Sequence, residues 1–498
     1  MNSLHRRSFL KGSLLTAAAL SLPAKSWSQV SGANSDIRVG IIGFKSRGQD
    51  NLNGLLACRG VRITALCDVD ETVLAGGAKQ MKDKGQGVET FADIRKLLES
   101  KNVDVIATAT PNHWHALASI WAIQAGKDVY VEKPVSHNVW EGRQLVNAAK
   151  AHQRIVQTGT QSRSTVGIQQ AVQWAQAGGL GKLLWARATC YKRRASIGKV
   201  SGEQPIPAGI DYDLWCGPAP LRPLMREKLH YDWHWVWDTG NGDLGNQGIH
   251  QMDVARWFLG ETALSPKVFS VGGRLGYIDD GETPNTMFVM HDYANAPLIF
   301  EVRGLPKSPE AKDQMDQYRG ANVGLIVQYE NGHIAVPNYE MAAAFDQKGK
   351  MIKRWGDFPA PKDSPDPGAP DNSGQESHYA NFIKAVRSRK TSDLNAQILE
   401  GHLSSALCHT GNISYRLGQK ASPGVIREKV NGNKEAADSL ARMTEHLAAH
   451  RIDIANDQLT IGEFLQMDPA TERFIGQPKA DKLLTREYRA PFVVPEIA

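Results

Sequence analysis

IRVGIIGFKSRGQD, residues 37–50, decides how the chain is read. IRVGII is a near-continuous apolar run, the pattern of a strand buried on both faces. A glycine turn and a helix start follow it. Those three parts make an anion site, because backbone N–H groups point at a phosphate and the helix N-terminus adds positive potential. The spacing is Gly43-x-Lys45-x-x-Gly48, so a lysine stands where a dinucleotide fold has its middle glycine. Without that glycine the phosphates move outward or the turn changes, and Lys45 and Arg47 offer direct charge contact instead. The plain alternative is an ordinary strand-to-helix turn with two solvated basic side chains. VRITALCDVD then ends a second strand at Asp68, near where an acidic group grips a ribose hydroxyl pair. A carboxylate there repels a 2′-phosphate and favours NAD over NADP.

Outward from this turn, residues 36–160 alternate strand and helix as a parallel sheet demands, with VDVIATAT, DVYVEKP and RIVQTGT as further strands. HALASIWAIQAG and VWEGRQLVNAAKAHQ read as helices, and Gly126 sits where a helix C-cap glycine belongs. Beyond residue 160 longer alternating strands appear: LLWARATCYKRR, KVFSVGGRLGY, TMFVMHDY, PLIFEVRGL and VGLIVQYENGHIAVP. Asn331-Gly332 reads as a hairpin turn. The expected fold is α/β: a Rossmann domain over 36–160, an α/β domain with a large, open, mostly antiparallel sheet over 161–430, and a C-terminal extension over 431–498. GDFPAPKDSPDPGAPDNSGQ reads as a surface loop.

The chain has 498 residues, too many for one ordinary core, with 41% hydrophobic and 22% charged residues. A net charge of +6 with no dense basic run argues against a nucleic-acid partner. Residues 1–28 hold Arg6-Arg7, a short apolar run and a small-x-small site at Ser26-Trp27-Ser28, the pattern of a twin-arginine export signal and hence a periplasmic protein. The apolar run is too short to span a bilayer, so no membrane span is expected in the mature protein. Five scattered cysteines without CxxC spacing argue against disulfides and a cysteine metal site.

Three stretches carry a family resemblance: ATPNHWHALASIWAIQAGKDVYVEKP, EKPVSHNVWEG and GDLGNQGIHQMDVARWFLG. Together they resemble the Gfo/Idh/MocA oxidoreductases. The resemblance implies NAD as cofactor, a carbohydrate substrate, and a homodimer or homotetramer packed through the open sheet. It places Gly43, Lys45, Ser46, Arg47, Gly48, Asp68, Thr110, Asn112, His115, Glu132 and Lys133 around the cofactor. It makes Lys133 and His250 the catalytic pair. The family's usual Asp four residues before that histidine is Asn246 here, which orients a hydroxyl but cannot act as a base. A desolvated lysine near a cationic nicotinamide has a lowered pKa and takes or polarises a hydroxyl proton.

Gln161 and Arg163 match the region where the family places substrate contacts. Arg194, Trp235 and Asp238 are further candidates, since aromatic faces stack on sugar C–H faces and Asp binds hydroxyls; core tryptophans are the competing reading. His230 and His234, and more loosely His113 and His115, have metal-ligand spacing but no third carboxylate ligand, so no metal is expected. These features imply an exported, NAD-dependent oxidoreductase acting on a secondary hydroxyl of a sugar, glycoside or cyclitol, with NAD held and recycled in place. Two alternatives stay open. One is NAD-dependent glycoside cleavage by oxidation, elimination, hydration and reduction; the other is a non-catalytic sugar-binding protein.

Overall fold

The computed structural model describes residues 36–361, 375–456 and 458–497. The export signal read at residues 1–28 and most of the Pro/Gly/Asp-rich stretch lie outside the described residues.

Six parallel strands form the N-terminal sheet: β1 (Ile37–Ile42), β2 (Val61–Cys67), β3 (Glu89–Phe91), β4 (Val105–Thr108), β5 (Asp128–Val131) and β6 (Val156–Thr158). Their order is β3-β2-β1-β4-β5-β6, the doubly wound arrangement. The chain reverses direction of growth between β1 and β4, which opens a crevice at the strands' carboxyl ends. β3 carries no sequence signal because it is three residues long and lies on the polar edge. Helix α1 (Arg47–Leu56) starts straight after the β1 turn, and α2 (Asn112–Gln124) after β4. Helix α2 is buried on nearly every side, which explains why its sequence is apolar all round rather than amphipathic.

The second sheet contains β7 (Leu183–Tyr191), β8 (Lys267–Gly273), β9 (Thr286–His291), β10 (Leu298–Arg303), β11 (Val323–Tyr329), β12 (Gly332–Val336), β13 (Ala342–Asp346), β14 (Met351–Trp355), β15 (Gln419–Ala421) and β16 (Leu459–Ile461). Its order is β14-β13-β12-β11-β7-β10-β9-β8-β16-β15, with β17 (Leu465–Asp468) and β18 (Arg473–Phe474) attached beside β8. Only the β7–β10 pair is parallel among these nine neighbouring pairs. The β11–β12 hairpin turns on Glu330 and Asn331, one residue earlier than Asn331-Gly332, because Gly332 already pairs with Tyr329.

The strands alternate between two apolar faces. Leu298, Phe300 and Val302 of β10 pack towards Ile249, Met252 and Leu407 on one side. Ile299 points the other way with Phe288 and Met290, against Ile426, Leu440, Met443 and Leu447. Those last four belong to helices Pro423–Val430 and Lys434–Ala449, so residues beyond 422 cover the sheet's outer face. Fully buried Arg187 binds Glu435, Asp438 and Glu301 beneath the second helix, a charge network that holds this cover in one position. The tail, expected to be helical at first, continues past these helices as short strands and a final helical turn. It adds β16 to the sheet and then returns to the first domain, where Phe492 and Val494 join the core beside Trp114 and Leu117.

The glycine turn depends on closeness. A Cβ at Gly48 would stand 2.0 Å from the Gly43 carbonyl oxygen, so α1 can approach β1 only without a side chain there. Gly48→Ala should therefore cost roughly 2–3 kcal/mol by forcing the turn apart. Calorimetry of the variant against wild type checks this, and an unchanged melting profile contradicts it.

Candidate active site

The carboxyl ends of β1, β2, β4 and β5 open into one cleft of about 390 Å³ between the domains. Gly43, Lys45, Ser46, Arg47, Asp68, Thr110, Asn112, His115, Glu132 and Lys133 all line it, joined by Arg194 and Asn246 from the second domain. Gly43 has φ 68°, and a Cβ on it would meet the Thr110 nitrogen at 3.1 Å and Ala109 at 3.2 Å. The departure from the glycine pattern falls one residue later than the spacing suggested. Lys45 to Gly48 form a turn closed by Gly48 N–H donating to the Lys45 carbonyl at 3.3 Å. Ser46 occupies its second position with φ 53° and ψ −113°, a conformation that turns of type II′ normally give to glycine. That strain costs about 1–3 kcal/mol and sits on the cleft wall. Lys45 itself is exposed beside it.

Asp68 follows β2 and accepts the Asp70 N–H at 3.1 Å. Burial raises its pKa, opposed by the backbone N–H groups of Asp70 and Phe44. A desolvated carboxylate of this kind gains by accepting two ribose hydroxyls and rejects an added phosphate.

At the far end stands the Glu132-Lys133 turn. Buried Glu132 accepts Arg47 Nε at 2.8 Å. A Cβ on Gly159 would touch its carboxylate at 2.8 Å, so the space above it is reserved by glycine. Burial opposes the Arg47 charge, but Glu132, Tyr130 and Tyr379 outweigh it and its pKa rises. Lys133 Nζ donates to the Asn246 carbonyl at 2.9 Å across the domain seam. Burial pushes its pKa down to about 8; Glu132 opposes this, while Arg47, Lys192 and Arg194 add to it. His250 stands near enough to feel the Lys133 charge, its ring 4.9 Å from that of Tyr339. Burial first, then Lys133, Arg47 and Lys192, holds its pKa well below the usual value, so it is neutral.

Glycine cradle, buried carboxylate and depressed amine in one cleft coincide with two family matches. Residues 37–160 match the profile described as oxidoreductase family, NAD-binding Rossmann fold, and residues 168–285 its C-terminal alpha/beta domain. The chain belongs to the Gfo/Idh/MocA oxidoreductase family. Glycosyl hydrolase family 109 protein 2 of Shewanella sp. (strain ANA-3) is 33% identical over 176 residues, 31% of this chain and 39% of that protein. Inositol 2-dehydrogenase 3 of Saccharopolyspora erythraea is 31% identical over 234 residues, 47% of this chain and 56% of that protein. The matched stretches thus span about two fifths and a little over half of these relatives. The WlbA dehydrogenase from Bordetella pertussis, solved in complex with NADH and UDP-GlcNAcA, shares the fold: TM-score 0.53, 17% identity, 75% of this chain and 93% of that one.

As in its family, the N-terminal domain of this Gfo/Idh/MocA protein is an NAD-binding domain, and its cleft fits that cofactor. Gly43 keeps the turn open to a pyrophosphate, Asp68 suits a ribose, and Arg47 and Lys45 supply positive charge. Two of the expected cofactor residues act at one remove. His115 directs both ring nitrogens at backbone carbonyls, Pro134 at 2.6 Å and Thr110 at 2.7 Å, so it ties the Lys133 turn to the β4 loop. Asn112 donates to Asn241 at 2.9 Å.

Five expected substrate contacts, His250 among them, lie outside the cleft's lining. Arg163 is buried and grips Asp253 at 2.8 Å and Glu400 at 3.1 Å, because its turn packs against helix Gly248–Leu259. Gln161 donates to the Tyr130 hydroxyl at 3.3 Å. Trp235 is buried beneath the Arg194 guanidinium, 5.2 Å away. Asp238 pairs with Arg222 at 3.1 Å in a separate cavity. Arg194 does reach the cleft, held by Asp243 at 2.8 Å and by the Tyr231 hydroxyl at 2.8 Å.

The sequence reading missed His234 as a cleft residue. Its Nδ1 bonds the Tyr231 carbonyl and its ring stacks on Trp233, centroids 3.6 Å apart. Burial, with Lys133 and Arg194 adding, lowers its pKa to about 3 against the pull of the Tyr231 carbonyl. The ring is therefore neutral, with Nε2 left as an acceptor. In HYDWHW the tryptophans carry the local signal, and the His230/His234 spacing by itself points only to a metal pair. The two histidines instead serve opposite ends of the cleft, His230 meeting Asp70 at 3.1 Å.

Asp68→Ala should weaken NAD binding and narrow the preference over NADP. Titration of both cofactors checks it; equal affinity of the wild type for the two contradicts the assignment.

Proposed function

We propose that the protein is an NAD-dependent oxidoreductase acting on a secondary hydroxyl of a sugar, glycoside or cyclitol. The observation that carries this reading is the Lys133 amine, desolvated at the cofactor end of the cleft and depressed to about 8. Bound NAD supplies a hydride acceptor there. An alcohol that loses hydride must also lose its hydroxyl proton, and the free amine of Lys133 takes it. The Asn246 carbonyl aims that amine, and Glu132, fixed by Arg47, holds the turn that carries it. Neutral His234 on the cleft wall leaves Nε2 to accept from a substrate hydroxyl; Arg194, pinned on Asp243, closes that wall, and His250 stays neutral within reach of the Lys133 charge. The inositol dehydrogenase relative supports the substrate class.

A second reading, net glycoside cleavage with NAD unchanged, draws support from the relatives named glycosyl hydrolase family 109 and from Asn246, which offers no carboxylate base. Reducing sugar released without net oxidation identifies it; sugar binding without turnover would instead mark a silent binding protein. Export by the twin-arginine route to the periplasm rests on Arg6-Arg7 and the apolar run after them. Free dinucleotide is scarce there, so NAD is retained and recycled on the protein. A homodimer or homotetramer would have to form away from β8–β10, whose outer face is filled by residues 423–449.

Lys133→Ala should lower turnover about 10²–10⁴-fold with NAD still bound. In the wild type, oxidation should speed up as pH rises and level off above about 8, because the amine is the base only when deprotonated. A flat profile, or near-normal turnover of the variant, places the proton transfer elsewhere. Asn246→Asp should move that profile to higher pH, since a carboxylate beside the amine favours its charged form. An unmoved profile in stopped-flow measurements rejects this.

A further inference from the structure

The second domain does more than face the cofactor cleft. Between β7 and helix Gly242–Asn246 the chain makes a long excursion, and residues 209–217 of it cross the cleft mouth from lip to lip. One lip is the segment after β2. There Glu71 N–H donates to the Gly209 carbonyl at 2.9 Å, Asp211 N–H to the Val69 carbonyl at 3.3 Å, and Ile210 bridges Asp70. His230, further along the excursion, pairs with the Asp70 carboxylate at 3.1 Å. The other lip is the start of α2, after β4. Trp114 Nε1 donates to the Leu214 and Trp215 carbonyls, both at 3.1 Å, and His113 Nε2 meets the Trp215 carbonyl at 2.9 Å. A Cβ on Gly217 would collide with the Trp114 indole at 2.2 Å, so the crossing chain lies flat on that ring.

Between the lips lies the β1 glycine turn, because β1 stands between β2 and β4 in the sheet. A dinucleotide that runs from Asp68 past Gly43 to Lys133 therefore lies under the crossing segment, and Leu214, Trp215 and His230 form part of the cleft wall. The segment has a small core of its own. Trp215, Cys216, Leu224 and Leu229 are buried together, with Tyr212 stacked on Trp215 at 5.8 Å. It is a packed element rather than a loose loop.

We infer that residues 209–217, with His230, are a clamp over the dinucleotide, and that NAD leaves only when the clamp's hydrogen bonds to both lips break. The inference rests on NAD being the resident cofactor and deepens the proposed retention, adding a mechanical cause to the Lys45 and Arg47 charges. Release is then governed by local opening of the clamp rather than by phosphate contacts alone.

The test uses full-length protein purified without added cofactor, and no sugar. NAD(H) per chain and its release rate into a scavenging buffer are measured for wild type, His230→Ala, Trp114→Phe and the double variant, with circular dichroism as a folding control. Each single variant loosens one lip and should release NAD about tenfold faster, as loss of one charged or partly buried hydrogen bond implies. The double variant should be faster still. In wild type, amide hydrogen exchange at Glu71 and Asp211 should slow when NADH is bound. Wild-type protein that exchanges added NAD within seconds, variants that release at the wild-type rate, or exchange at those amides that ignores NADH overturns the clamp. Glycoside turnover is measured separately, so failure of the proposed reaction leaves this result standing.

Discussion

A buried amine must find a partner, and that of Lys133 finds it across the seam between two domains. Its bond to the Asn246 carbonyl exists only when the second domain is docked, so one contact both joins the halves and aims the reacting group. Around it the charges are arranged in order. Glu132 keeps Arg47 in place, Arg47 and Arg194 lower the amine's proton affinity, and the amine in turn keeps His234 and His250 neutral. Burial is the largest cause in each of these three shifted groups. The electrostatics of the site are therefore a consequence of domain closure.

The rest of the chain secures that closure. The crossing segment at 209–217 reaches from the second domain onto the first, and Phe492 brings the C-terminal tail back into the first domain's core beside Trp114. Trp114 thus meets the clamp with its indole nitrogen and the tail with its ring edge, 5.5 Å from Phe492. On the far side, the two-faced sheet needs a cover for its outer apolar residues, and the chain provides one in residues 423–449. Apolar burial at this scale outweighs any single ion pair, and the buried Arg187 network serves to select one docking of that cover.

Legibility of the site followed distance along the chain. Gly43, Asp68, Glu132 and Lys133 were readable because each sits at a strand's carboxyl end, where local pattern announces it. Arg163 and Gln161 shared that kind of position but turned inward, since a guanidinium beside Asp253 and Glu400 gains more from two carboxylates than from an open cleft. His234 had no local signal. Its role comes from Trp233 beneath it and from Lys133, a hundred residues away in sequence, in front of it.

The sequence by itself determined the doubly wound sheet, the antiparallel second sheet, the glycine turn and the family, because periodicity and short motifs are local properties. Tertiary structure alone decided which residue bears the turn's strain, Ser46 rather than Lys45. It also decided that the tail would cover a sheet and that a distant segment would cross the cofactor cleft. Those outcomes depend on which surfaces meet, and buried apolar area, backbone hydrogen bonds and desolvated charge are set only when they do.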